Sequence, residues 1–361
     1  MSTFGNIQTQ GIKYAGSKLK IIPYILQETA TLQGVKTVLD GFSGTTRVSQ
    51  ALAQMGFNIT SNDIAVWSEV FANTYLIANK ADNFYQEILD ELNALKGVDG
   101  WFTEHYGGDE AAQKKPFQRK NTRKLDAIRN AIDDLDLAWE DKSVILTSLI
   151  LALDKVDSTI GHQAAYLSNW SARSYKDLKL ALPLRFTHSG EHQVMRGDVF
   201  KAITSNVYDF AYLDPPYGSN NEKMPSSRVR YQAYYHLWTS VILNDEAKLF
   251  GKANRREDTR DEQAVSVFEE FRKNEDDQFL ALEALKQLIE NVQAKYIMLS
   301  YSSGGKATKA ELYKILRSSG KVLKAIEIDY KKNVMADMRW TNQWINSDGR
   351  HCEYLFLMQK D

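Results

Sequence analysis

Apolar and polar positions along the chain fall into blocks of different period. Residues 36–40 (KTVLD) are a short apolar run that stops at the turn-rich GFSGTT, which predicts a strand closed by a tight turn. Over 47–55, Val48, Leu52 and Met55 recur at helical spacing, and FNIT (57–60) reads as a second strand that ends at Ser61-Asn62-Asp63. Strand, turn, helix and strand in this order open a doubly wound parallel sheet. From about 80 to 180 the period becomes helical, in QEILDELNAL, TRKLDAIRNAIDDL and DKSVILTSLILAL. That stretch shows no apolar strand with a catalytic turn, and predicts an inserted helical subdomain. Strand patterns resume at HQVMRG (192–197), YDFAYL (208–213), AKYIMLS (294–300), KVLKAIEI (321–328) and EYLFLMQ (353–359). The last two are expected to pair antiparallel across a long polar loop.

Composition changes this picture little. The 361 residues are 43% hydrophobic and 25% charged, ordinary for a soluble globular protein. The start is polar, no apolar run reaches membrane-spanning length, and a single cysteine, Cys352, can form neither an internal disulfide nor a zinc site by itself. A reduced, cytoplasmic protein away from membranes is the expectation. The six scattered histidines suggest no metal site, and His188 and His192 read as surface residues. The net charge of −1 announces no nucleic-acid partner, but charge is distributed unevenly. Residues 114–124 (KKPFQRKNTRK) are basic without an acid. Acid gathers in 244–277, where 256–277 reads as a mobile, solvent-facing loop and helix.

The most informative chemistry is Asp214-Pro215-Pro216-Tyr217, directly after YDFAYL. In an open α/β sheet, ligands sit beyond the carboxyl ends of the strands, so the turn is well placed. An exocyclic amine on a base is a poor nucleophile because its lone pair is delocalised into the ring. The Asp214 carboxylate and the Pro215 carbonyl can each accept one N–H, driving the nitrogen toward tetrahedral geometry and aiming its lone pair. Pro216 stiffens the turn, and Tyr217 offers a ring face to a base flipped out of the duplex. A plain Pro-Pro turn capped by Asp is the alternative.

Four further features accompany it. In Asp40-Gly41-Phe42-Ser43-Gly44-Thr45, small residues after a strand let the backbone approach a ligand, and Asp40 suits a ligand ammonium; a plain strand-to-helix turn has the same look. Asp63, at the end of the second strand, suits ribose hydroxyls, or equally caps the helix that follows. Lys13-Tyr14-Ala15-Gly16-Ser17-Lys18 places small residues between lysines ahead of a helix, as either an anion site or a flexible lead-in. Asp198, in Arg196-Gly197-Asp198-Val199, could bond an adenine amino group or simply make a turn.

These features, in this order, resemble the Dam-type (D12 class, alpha-group) DNA adenine-N6 methyltransferases. The family's opening K-W/Y-A-G-G/S-K stretch is matched by Lys13 to Lys18, and its F-x-G-x-G-like turn loosely by Phe42 to Thr45. Its acid after the second strand is matched by Asp63, and its D-P-P-Y by Asp214 to Tyr217. The segments Tyr234 to Trp238 and Ser300 to Ser302 are also similar to members from restriction–modification systems. The resemblance covers 10–80 and 190–305 well, and 80–185 in position only. It implies a Rossmann-like class I S-adenosylmethionine-dependent methyltransferase sheet, mostly parallel with an antiparallel last strand. Residues 1–80 and 185–361 would form the catalytic domain and 81–184 a helical target-recognition insert. The implied activity is site-specific transfer of a methyl group from S-adenosylmethionine to a flipped-out adenine in double-stranded DNA, as in restriction–modification systems, with a cognate restriction endonuclease as a functional partner.

By the same resemblance, Tyr14, Gly16, Lys18, Asp40, Phe42, Gly44, Asp63, Asp198 and Asp214 would line the cofactor pocket. DNA contacts are expected from Lys114, Lys115, Arg119, Lys120, Arg123 and Lys124, where a solvated helix face is the alternative. Asn169, Arg173, Tyr175 and Lys176 look able to reach the duplex, and Arg228 and Arg230 could close over the flipped base. Two rivals remain: an RNA base methyltransferase, and a methyltransferase-fold DNA-binding protein without catalysis. A cytosine-C5 enzyme is excluded, because its nucleophilic cysteine would have to be Cys352, outside any Pro-Cys turn.

Overall fold

The computed structural model describes residues 6–109, 111, 115–218, 231–260, 266–270, 272–329 and 352–361. Seven strands form the central sheet: β1 (Thr37–Asp40), β2 (Asn58–Asp63), β3 (Gln193–Arg196), β4 (Tyr208–Leu213), β5 (Ala294–Ser302), β6 (Gly320–Asp329) and β7 (Cys352–Lys360). They lie in the order β6-β7-β5-β4-β1-β2-β3. Neighbours from β5 across to β3 are parallel, while β7 runs antiparallel to both β5 and β6. The last strand therefore slots between two earlier ones, and β6 forms the edge. The antiparallel pairing of the last two strands is as the sequence predicts, with the edge position falling to the earlier of the two.

Helices cover both faces. On one side α1 (Ile22–Thr29) and α2 (Arg47–Gln54) bury Ile25, Leu26, Val48 and Leu52 against Val38, Ile59, Phe210 and Met298. The other face receives α8 (Val199–Ser205), α10 (Leu280–Asn291) and α11 (Lys309–Arg317), packed on Leu39, Ala211, Ile297 and Phe356. The central strands β1, β4 and β5 are buried on both faces, which is why they read as continuous apolar runs instead of alternating ones.

The helical region consists of α4 (Asp82–Ala94), α5 (Trp101–Tyr106), α6 (Arg119–Asp133) and α7 (Trp139–Val156). It shares one hydrophobic core with α3 (Val66–Ala72) and α9 (His236–Leu243), the latter coming from beyond β4. Arg129 of α6, almost fully buried, fixes that junction by donating to the carbonyls of Val241 (2.7 Å) and Ile242 (3.0 Å) at the end of α9.

Two expectations are corrected here. Residues 256–277 are only in part solvent-facing. Arg256 is buried and pairs with both oxygens of Asp245 (2.7 and 2.8 Å), and Phe268 is buried against the sheet's outer helices, whereas 272–278 are exposed. His188 and His192 are half-buried and form a staple. His192 Nδ1 accepts from Ile59 N (3.1 Å) and its Nε2 meets His188 Nδ1 (2.9 Å), while His188 Nε2 meets the Tyr75 carbonyl (3.1 Å). Burial and the neighbouring imidazole lower the His192 pKa to about 4, so the His192 ring is neutral in this chain of bonds. Among the described residues no group of three His, Cys, Asp or Glu side chains could hold a metal, and no helix is long and apolar enough to cross a membrane.

Candidate active site

The carboxyl ends of β1, β2 and β4 meet where the chain order of the sheet reverses, and each delivers a carboxylate. Parallel register sets Asp40 of β1 beside Ser61 on one side and Tyr212 on the other, so Asp214 leaves β4 two residues past that level. Asp40 is fully buried. One oxygen, Oδ2, accepts from Ser49 N (3.1 Å) and Ser49 Oγ (2.6 Å), whereas Oδ1 has no partner. Burial drives its carboxyl up to about 7, against the pull of the Ser49 bonds and with a further push from Asp214 and Asp63. A buried carboxyl with a spare oxygen at a strand tip has hydrogen-bonding capacity that the fold itself does not use.

Asp63 accepts from two backbone amides, one in the glycine turn and one just ahead of α3. Oδ2 accepts from Gly44 N in the glycine turn (2.9 Å) and Oδ1 accepts from Ala65 N at the start of α3 (2.9 Å). Burial raises its pKa, and the backbone donors pull it back. Gly44 has φ +48°, and a Cβ there would lie 3.0 Å from the Tyr14 hydroxyl, so conformation and space both call for glycine. Thr45 is buried and Thr46 adopts the left-handed conformation in place of a second glycine.

The Lys13–Lys18 stretch is not a loose lead-in. Ala15 N donates to the Tyr235 hydroxyl (2.6 Å), and the Tyr231 hydroxyl donates to the Ala15 carbonyl (2.6 Å). The Tyr14 ring stacks on Tyr235 at 4.7 Å and meets Trp67 and Tyr231 edge-on. Lys13 reaches the other way, to Asp157 Oδ1 (2.6 Å) and the Asp154 carbonyl (2.5 Å) at the end of α7. Gly16, at φ +84°, turns the chain so that Lys18 points inward.

Lys18 then joins a closed cluster of charge. Its Nζ lies 3.0 Å from Asp214 Oδ1 and 2.7 Å from Glu353 Oε1, and donates to the Tyr217 hydroxyl. That hydroxyl sits 2.8 Å from Asp214 Oδ1 and 2.9 Å from Glu353 Oε1, which also accepts from Ser300 Oγ (2.8 Å). Burial works against the lysine's charge, but Asp214 and Glu353 outweigh it and hold its pKa above the ordinary value. Burial lifts Asp214 to about 6, with Lys18 opposing and Glu353 adding to the rise. Tyr217 is held neutral, its pKa well raised by burial and the two carboxylates. Asp214 Oδ1 faces both Lys18 Nζ and the Tyr217 hydroxyl, while Oδ2 accepts no hydrogen bond among the described residues. Pro215 is buried and Pro216 half-buried in the same turn. Tyr217 is pinned from behind: its carbonyl accepts from Lys306 N (2.9 Å), its ring meets Tyr301 edge-on at 5.1 Å, and a Cβ on Gly305 would strike both tyrosines.

The structure thus brings together Tyr14, Gly16, Lys18, Asp40, Gly44, Asp63 and Asp214 to Tyr217. Phe42 lies beside the glycine turn and packs edge-on against Phe268 at 5.4 Å. Asp198 is exposed and caps α8 through Phe200 N (2.9 Å). Sequence reasoning missed Glu353, Tyr231 and Phe268, and gave Tyr235 no place beside Tyr14. Glu353 opens an apolar strand, and its only signal is an acid at a position that the strand pattern buries.

The basic residues of the insert make intramolecular bonds. Lys115 donates to the His105 carbonyl (2.7 Å) and Lys124 to the Asn93 carbonyl (2.7 Å). Arg119 pairs with Asp99 (2.7 Å), Arg123 lies 3.4 Å from the same carboxylate, and Lys120 bonds the Tyr175 carbonyl and Asp177. Arg173 grips buried Asp157 (2.7 Å). Arg119, Lys120 and Arg123 keep nearly half of their side-chain surface open, and Asn169, Tyr175 and Lys176 are exposed. Lys114, Arg228 and Arg230 lie outside the described residues.

Known proteins resemble the chain along nearly its whole length. A family model described as D12 class N6 adenine-specific DNA methyltransferase matches residues 14–333. The type II methyltransferase M.NlaIII of Neisseria lactamica is 27% identical over 366 residues, covering 97% of this chain and 99% of that protein. The modification methylase StsI of Streptococcus sanguinis is 25% identical over 371 residues, and the type II methyltransferase M.FokI of Planomicrobium okeanokoites 24% over 371. Each of these two matches covers 97% of this chain, but only 52% of StsI and 53% of M.FokI, so the chain spans about half their length.

Proposed function

The chain belongs to the D12 class N6 adenine-specific DNA methyltransferases, and from that membership we propose how its own residues carry the reaction. The substrate is an adenine flipped out of double-stranded DNA, and the methyl donor is S-adenosylmethionine. Asp40, with its unpartnered buried oxygen, fits the donor's ammonium group, and Asp63 beside the Gly44 turn fits its ribose. Tyr14, Gly16, Phe42 and Asp198 complete that pocket. When bound, the donor supplies an electrophilic methyl group.

The remaining work falls to the D-P-P-Y turn. Lys18 and Tyr217 occupy Asp214 Oδ1 and fix the carboxylate's plane, leaving Oδ2 to accept one N–H of the adenine amine. The Pro215 carbonyl accepts the other. Together they pull the nitrogen toward tetrahedral geometry, and these acceptors need no reorganisation as charge develops. Once the new N–C bond has formed, the nitrogen carries a surplus proton, and Asp214 Oδ2 takes it. A carboxyl raised to about 6 is still ionised at neutral pH, yet accepts a proton more readily than an ordinary aspartate.

Residues 81–184 serve as the target-recognition insert within a catalytic domain built from 1–80 and 185–361. The exposed halves of Arg119, Lys120 and Arg123, with Lys114, Lys115, Lys124, Arg173, Tyr175 and Lys176, position the duplex, and Arg228 and Arg230 close over the flipped base. The observation that carries the catalytic reading is the arrangement at Asp214, one oxygen engaged from within and the other left for substrate. It is tested by nucleoside mass spectrometry of unmethylated DNA incubated with S-adenosylmethionine and the protein, with Asp214→Ala as control. N6-methyladenosine is expected with the intact protein alone; equal product from the variant would overturn the assignment.

A further inference from the structure

Two carboxylates and one ammonium share the buried cluster, and this ratio has no part in the reaction as described so far. Were Lys18 to face Asp214 alone, at 3.0 Å, the pair would be neutral. The catalytic oxygen would then be a poor proton acceptor, and would give little stabilisation to positive charge developing on an amine. Glu353 lies closer to the ammonium, at 2.7 Å, and is itself fixed by Ser300 Oγ. It also lies beyond the stretch that the family model matches, which ends at 333.

We propose that Glu353 is a positioning and charge-balancing residue for Asp214: it draws on the Lys18 charge and the Tyr217 hydroxyl, so that the cluster as a whole presents a net negative charge to the reacting amine. The inference rests on Asp214 acting as described above. Every group facing the carboxylate fits this account. Lys18 comes from the N-terminal stretch, Glu353 from β7 and Tyr217 from the same turn. Beyond them Asp40, Tyr14, Tyr212 and Tyr231 feel its charge, and the three tyrosines are kept neutral by burial. Lys18 directs its three donors to Asp214, Glu353 and Tyr217, so it cannot move toward either carboxylate without breaking a bond. Glu353 thereby keeps Lys18 useful as an orienting donor without letting it quench the base.

The test is a comparison of E353Q with the double variant K18M/E353Q, alongside the wild type and D214N, over pH 5 to about 9. E353Q should lower kcat about ten- to a hundredfold, the usual weight of a residue that orients a contacting group, with KM for the duplex unchanged. Its acid limb should move down by about one pH unit, because Asp214 then faces Lys18 without a competing carboxylate. The double variant removes both charges and should bring the limb back toward the wild-type position even where kcat stays low. A purely structural glutamate would lower the melting temperature and leave the limb in place, which overturns the proposal. So does wild-type kcat in E353Q. Should E353Q not fold, S300A, which removes only the hydroxyl that anchors Glu353 Oε1, must shift the limb in the same direction or the proposal fails. Failure of the underlying reading looks different: D214N would then retain turnover.

Discussion

The cations of α6 and the cluster around Asp214 are both groups of charge on helical or strand frames, yet their hydrogen bonds are used differently. On and beside α6 the charged groups find carbonyls and carboxylates of the same region: Lys115 the end of α5, Lys124 the end of α4, and Arg119 the Asp99 side chain. These bonds satisfy helix ends that would otherwise go unpaired, and they tie α4, α5 and α6 together. At the carboxyl ends of the strands the reverse holds. Asp40 Oδ1 is buried without a partner, Asp214 Oδ2 accepts no hydrogen bond among the described residues, and three charges are packed where solvent reaches little of any of them. The lesson is that charge density alone separates scaffold from chemistry poorly. What marks the strand ends is leftover acceptor capacity on carboxylates, at Asp40 Oδ1 and Asp214 Oδ2, which a ligand can use.

The most severe way to break this contrast is to remove the open oxygen itself. Asp214→Ala should cost turnover about a hundred- to a thousandfold, the scale of losing a preorganised electrostatic group, while duplex affinity stays within a few-fold. In the intact enzyme the Asp214 carboxylate must be ionised, so kcat should fall as pH drops through about 6 and level off above it. A filter-binding assay beside a pH–rate profile reads both; a parallel loss of affinity would mean that the carboxylate holds DNA as well as reacting.

A smaller effect is expected from neutralising Lys115, Arg119 and Lys120 together. If their open halves meet phosphates, the plot of log affinity against log salt flattens by about 0.9 for each phosphate no longer neutralised, and binding at moderate salt weakens about tenfold or more. Their exposed ion pairs contribute roughly 0.2–1 kcal/mol each, so melting temperature should fall only slightly. An unchanged salt slope with a lower melting temperature would assign the run to the scaffold alone and place the duplex elsewhere.

The smallest change sharpens the contrast from the side of stability. The folded-state pKa of Asp40, about 7, lies above the ordinary carboxylate value, so the folded protein holds a proton that the unfolded chain releases. Stability from this group is therefore lost as pH rises from about 4 to about 7. Asp40→Asn removes the buried charge and should raise the melting temperature at pH 8 by a few degrees, at roughly 2 °C per kcal/mol, with little change at pH 4. Calorimetric titration of the same variant with S-adenosylmethionine should show weakened binding. A variant both less stable and normal in binding would refute the view that Asp40 is kept for a ligand.

Much of this architecture was legible in the sequence. β4 matches YDFAYL, and β1 and β5 fall within a residue or two of their apolar runs, because central strands buried on both faces have little choice of residue; edge strand β6 and its partner β7 lie as near to theirs. Asp214 to Tyr217 stood out because a rigid turn after such a strand has few other uses. What stayed hidden depended on pairings distant in the chain. Lys18 and Glu353 are 335 positions apart, and nothing in the local pattern of either foretells the other. The acid-rich 256–277 misled in the same way. Its composition predicts exposure, but Phe268 finds Phe42 and Phe200, and Arg256 finds Asp245. The histidine pair reads as surface until the strand edge brings Ile59 N against it.

The insertion of β7 between β5 and β6 has a temporal consequence. Of the seven strands it is synthesised last, and until it arrives β5 and β6 lack the partner that each pairs with on that side. The lysine, tyrosine and aspartate of the cluster are all made earlier, but the glutamate that completes it rides on this strand. A ribosome-bound chain can therefore build most of the sheet and still lack a finished active site. Closure of the sheet and completion of the cluster become a single late event, because one strand carries both.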